Sequence, residues 1–83
     1  MINLEFSYEY CGKIFSGNFP IKIIGSPRTH AEIHFNQKMI LVIQLSKTEA
    51  NLTEKPLYKK VIKDVFASVF DRKITNVKIH NVP

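Results

Sequence analysis

The chain has 83 residues, 45% hydrophobic and 23% charged, an ordinary globular composition that argues against general disorder and supports one small core. Its longest unbroken apolar run, Met39–Ile43, is too short for a membrane span, the first residues lack a signal-peptide pattern, and the single cysteine, Cys11, permits neither an internal disulfide nor a four-cysteine zinc site. The net charge of +5 suits an anionic partner, and these features together predict one domain over residues 1–83 in a reducing, cytoplasmic setting.

Ile2, Leu4, Phe6, Tyr8 and Tyr10 alternate with polar residues, the period of a half-buried strand. Cys11-Gly12 reads as a tight turn, because glycine accepts the positive φ that hairpin turns need. Lys13–Ser16 continues extended, and Gly17-Asn18 is either a second turn or a bulge in one long strand. Phe19–Ile24 is extended, with Pro20 favouring an edge position or the start of a strand. Residues 25–28 form a loop.

His30–Phe35 alternates again, and Met39–Leu45, the most apolar segment, is expected as a central strand. A two-residue turn at Asn36-Gln37 would pair His34 with Met39. A three-residue turn through Lys38 would pair Phe35 with Met39 and gather Ala31, Ile33, Phe35, Met39, Leu41, Ile43 and Leu45 on one face. The second register is preferred, because burial of one clean apolar face specifies pairing most strongly. It leaves His30, Glu32, His34, Ile40, Val42 and Gln44 on the opposite face.

Ser46–Asn51 reads as a polar connection. Thr53 is the expected N-cap and Pro56 falls in the first helical turn, where a missing N–H costs little. Leu57, Tyr58, Val61, Ile62, Val65, Phe66, Val69 and Phe70 form a wide apolar stripe at helical spacing, with the helix ending near Asp71–Lys73. Residues 74–82 return to extended structure, Val77 and Ile79 on one side, Asn76, Lys78 and His80 on the other. The predicted fold is α+β: one mostly antiparallel sheet of about five strands, in the order β-β-β-β-α-β, with one helix packed on one face. The last strand has two homes: parallel to Met39–Leu45 by a right-handed crossover, or beside the first strand with Lys78 facing Glu5 or Glu9.

The charge is unevenly placed. Residues 1–54 balance five basic side chains against five acidic ones, so the whole excess lies in residues 55–83, where Lys55, Lys59, Lys60, Lys63, Arg72, Lys73 and Lys78 face only Asp64 and Asp71. Lys55, Lys59 and Lys63 recur at i, i+4, with Lys60 beside them, in the N-terminal half of the helix. There the macrodipole disfavours each exposed cation by about 0.3–1 kcal/mol. A locally unfavourable arrangement next to a helix N-terminus points to an anion-binding surface. Ten of the twelve basic residues are lysine, which attracts anions but reads base edges less well than arginine.

Among other candidates, His30, Glu32 and His34 share one strand face as a metal or acid–base site, but their ends span roughly 13 Å at the strand rise, so one ion needs outside help, for example from His80. A solvated polar sheet face is the stronger reading. Cys11 has Lys13 nearby but no positioned base, and reads as an unreactive thiol. Tyr8, Tyr10, Phe15 and Phe19 suit the core better than base stacking. No RNA-recognition octapeptide, Gly-x-x-Gly loop, Walker loop or dinucleotide fingerprint occurs.

The function these features predict is that of a small non-enzymatic binding protein without cofactor: an adaptor, regulator or inhibitor, by class analogy of the kind carried by phages and mobile elements. Its expected contact residues are Lys55, Lys59, Lys60 and Lys63 on the helix and Ile40 and Val42 on the uncovered sheet face. The expected partner is an acidic protein or nucleoprotein. Weakly specific nucleic-acid binding through the same lysines is the first alternative, and a metal protein or enzyme using His30, Glu32 and His34 the second. Self-association through the uncovered face or an edge strand is also expected.

Overall fold

Alternation along the first ten residues becomes a nine-residue strand in the computed structural model, which describes residues 2–36 and 38–80. The elements are β1 (Ile2–Tyr10), β2 (Lys13–Ile24), β3 (His30–His34), β4 (Ile40–Gln44), α1 (Lys47–Ala50), α2 (Glu54–Val69) and β5 (Thr75–Ile79). They build one open antiparallel sheet in the order β4-β3-β2-β1-β5, with α2 across one face, an α+β fold. Gln37, in the predicted β3–β4 turn, and residues 81–83, at the end of the predicted extended segment, lie outside the described residues.

Tyr10 pairs with Lys13 across Cys11 (φ 51) and Gly12 (φ 77), both at the positive φ that a two-residue hairpin turn requires. Gly17-Asn18 is neither turn nor bulge: β2 runs unbroken in register with β1. Gly17 is needed for another reason. It stands opposite Phe6, whose ring lies across it, and a Cβ there would sit 3.2 Å from Phe6 Cζ. Pro20 lies within the middle strand of the sheet, yet β2 pairs with β3 only from Ile21 onward. At Pro20 the strand is locally an edge, so the missing N–H is tolerated.

Phe35 N–H donates to Met39 O (3.1 Å) and His34 pairs with Ile40, the three-residue register that collects the apolar residues on one face. Leu4, Phe6, Ile21, Ala31 and Ile33 of that face meet Leu57, Val61, Ile62, Val65 and Phe66 of α2, all buried. Each of these side chains larger than Ala31 contributes about 1.5–3 kcal/mol. Contrary to expectation, the most apolar segment is not central: β4 ends the sheet, and its apolarity serves one buried face only.

The segment expected as a plain connection contains α1, closed by a capping box. Ser46 Oγ accepts from Glu49 N–H (3.1 Å) while Glu49 Oε1 accepts from Ser46 N–H (2.9 Å). Thr53 occupies the N-cap of α2, but its side chain makes no capping bond. The helix stops at Val69, short of the predicted end, and Asp71 (φ 50) turns the chain away, leaving Val69 and Phe70 partly exposed. β5 then pairs antiparallel with β1, not with β4. The pairing covers the otherwise open flank of β1 and buries Val77. Two β5 residues, Asn76 (φ 51) and Val77, stand opposite Tyr8, a bulge that kinks this outer strand.

Candidate functional site

The sixteen residues of α2 divide its lysines between two flanks. Lys60 turns toward α1. Its Nζ donates to Asp64 Oδ1 at 2.7 Å and lies 3.8 Å from Glu49 Oε2. The Asp64 hydrogen bond is the main cause holding the Lys60 ammonium above its ordinary pKa. Glu49 is held below the usual carboxylate range, first by its hydrogen bonds with Ser46 and then by Lys60. Lys60 is therefore a partly neutralised link between the two helices.

Lys55, Lys59 and Lys63 form a single i, i+4 ridge, all exposed. None has an ion-pair partner among the described residues. Only Lys55 lies in the first turn, where the helix dipole acts, so the electrostatic cost of the ridge is smaller than the sequence suggests. Lys59 lines a groove of about 500 Å³ together with Ser7, Tyr8, Glu9, Ile14, Asn76, Val77 and Lys78. Lys78 faces Ser7, between Glu5 and Glu9, and pairs with neither. Glu9 instead accepts from Asn76 Nδ2 at 3.2 Å. The groove thus brings a helix cation and a strand cation to one edge of the sheet. Lys78 was not among the expected contact residues. The alternation that places it on the open face is visible in the sequence, but the proximity to Lys59 depends on which strand β5 joins.

Ile40 and Val42 do not adjoin this ridge. They project from the face of the sheet opposite α2, 51% and 46% exposed. The expected contact residues therefore form two separate surfaces. Beside Ile40 and Val42 stand His34 and Glu32, whose Nε2 and Oε1 are 3.6 Å apart, too long for a hydrogen bond. His30 Nδ1 lies 2.9 Å from Thr29 Oγ1. His80, expected as outside help for a metal, directly follows β5, three strand spacings from β3, and its Nε2 lies 2.9 Å from Ser7 Oγ. Among the described residues no three His, Cys, Asp or Glu side chains converge to hold a metal ion.

The aromatic candidates for base stacking make contacts within the protein, but Phe15, near the hairpin tip, is 39% exposed and outside the core expected for it. Tyr8 stacks on Phe15 at 5.5 Å, Phe19 meets Phe35 edge-on at 5.0 Å, and Arg72 lies over Tyr10 at 5.2 Å. Cys11 is exposed at the hairpin tip. Among the described residues no helix is long and apolar enough to cross a membrane. No family model matches the chain, and no match was found among curated proteins or solved structures.

Proposed function

We propose that this chain is a small, non-enzymatic, cytoplasmic binding protein, an adaptor, regulator or inhibitor, that docks on an acidic protein surface through the Lys55–Lys59–Lys63 ridge and the neighbouring Lys78. The observation that carries the reading is the contrast between the two flanks of α2. Lys60 is paired with Asp64 and Glu49, whereas the ridge has no anionic partner among the described residues. Exposed cations lose little by staying solvated, but a ridge of them beside a groove supplies steering and charge complementarity for an anion-rich partner. Three of the four candidate rings, Tyr8, Tyr10 and Phe19, pack against the core, and lysine reads base edges less well than arginine, which supports an acidic protein over nucleic acid.

The test is fluorescence anisotropy with three labelled probes, poly-glutamate, random single-stranded DNA and duplex DNA, at low and near-physiological salt. Wild type should bind poly-glutamate with an affinity that falls with salt. Joint Lys55→Glu, Lys59→Glu and Lys63→Glu substitution should abolish binding while the far-ultraviolet circular dichroism stays unchanged, and Lys60→Gln should retain it. Undiminished binding by the folded triple variant would refute the surface. Stronger, salt-resistant binding to either DNA would replace the acidic-protein reading with nucleic-acid recognition.

A further inference from the structure

The two edges of the sheet are built differently. β5 carries Lys78 and a bulge at Asn76, devices that keep an edge from pairing with another chain. β4 (Ile40–Gln44) carries neither charge, proline nor bulge, and pairs with β3 without a register shift. Its free backbone groups can be assigned. Phe35 N–H donates to Met39 O and Leu45 N–H donates to Thr29 O, so the odd-numbered residues 39–45 turn their backbone groups toward β3. Ile40, Val42 and Gln44 therefore present their N–H and C=O groups outward. Two of them, Ile40 and Val42, also carry exposed apolar side chains on the open face.

We propose that β4 pairs antiparallel with β4 of a second copy of this chain, about a twofold axis through Val42, giving one continuous sheet. The edge is self-complementary about that axis. Val42 meets its own copy, Ile40 lies beside the partner's Gln44, and every outward N–H of both strands finds a carbonyl. No charged residue of β4 is brought opposite a like charge, because β4 has none. The twofold runs perpendicular to the sheet, so Ile40 and Val42 of both copies form one apolar strip on the open face. Both α2 helices lie on the other face, with the lysine ridges at the two far ends. The lysine ridge takes no part in the pairing, so the dimer does not depend on the acidic-partner reading.

The edge is five residues long, so association is weak and is best followed from about 10 μM to 1 mM. Sedimentation equilibrium of the full chain should show a monomer–dimer equilibrium that added salt does not weaken. Amide hydrogen exchange by NMR should show protection of Ile40, Val42 and Gln44 that rises with concentration, while Leu41 and Ile43 stay protected throughout. Val42→Lys places like charges face to face and should raise the concentration of half-dimerisation by at least about tenfold. The triple glutamate variant of the ridge should dimerise as wild type does. A monomer over the whole range would overturn the proposal. So would a dimer whose Ile40, Val42 and Gln44 amides stay unprotected, since contact through side chains alone leaves them exchanging; the amide measurement needs no variant to fold.

Discussion

Replacing Gly17 by alanine should destabilise the protein, although alanine is the better strand residue. Glycine inside a strand costs roughly 0.5–1 kcal/mol relative to alanine, so an unopposed Gly17→Ala change would stabilise by that amount. Here the new Cβ would lie 3.2 Å from Phe6 Cζ, with Cε2 and Cε1 at 3.7 and 3.8 Å. Relief requires the ring to retreat by a few tenths of an ångström. Phe6 is 1% exposed, and its ring centroid lies 5.3 Å from Phe19, 6.0 Å from Tyr8 and 6.1 Å from Phe66, which leaves it no space. Overpacking of this kind costs about 1–3 kcal/mol, which outweighs the gain. Phe6→Leu removes the far ring atoms that cause the clash. In that background Gly17→Ala should recover the stabilising sign, with a coupling energy of about 1–3 kcal/mol. Urea unfolding of wild type, both single variants and the double variant measures it. Equal stabilisation by Gly17→Ala in both backgrounds would show that the Phe6 ring does not constrain Gly17.

Two further predictions concern the helix ends. Asp71 holds φ 50 and sets a negative charge after the C-terminus of α2, so Asp71→Gly should stabilise by about 1 kcal/mol and raise Tm by about 4–8 °C; a fall in Tm in a thermal melt would assign Asp71 a stabilising contact. The folded-state pKa of Glu49 is depressed, so its stabilising contribution is complete above the ordinary carboxylate pKa and is lost as pH falls through the lower folded value. Titration of Glu49 Cδ by NMR should give a midpoint below that of a model peptide, and Ser46→Ala should shift it upward; an unchanged midpoint in that variant would exclude the capping box as the main cause.

Much of the local structure is legible in the residues themselves. The positive φ at Cys11-Gly12, the Phe35–Met39 pairing and the helical stripe from Leu57 to Phe66 depend on neighbours a few positions away, and the side-chain periods report them. The capping box of α1 was legible too, since Ser46 and Glu49 have the required spacing, but a four-residue helix without buried residues leaves no apolar period to read. The candidate site was half legible. Charge counting finds the lysines of α2, and the i, i+4 spacing marks Asp64 as a partner for Lys60, but the second carboxylate beside Lys60, Glu49, belongs to another element and is not legible, and neither is the lack of any such partner for Lys59 among the described residues.

By itself the sequence determined the five strands and the long helix, though not α1, together with the three-residue register between β3 and β4 and which residues alternate to the buried side, because each follows from backbone geometry repeated over a few residues. Only the tertiary structure decided that β5 lies against β1, where His80 N–H meets Glu5 O, that β4 is an edge, and that the lysine ridge and the Ile40–Val42 patch occupy opposite faces. Those outcomes depend on which strands become neighbours. Pairing between segments far apart in the chain is chosen by the burial that the assembled sheet and helix achieve together, and no single segment encodes it.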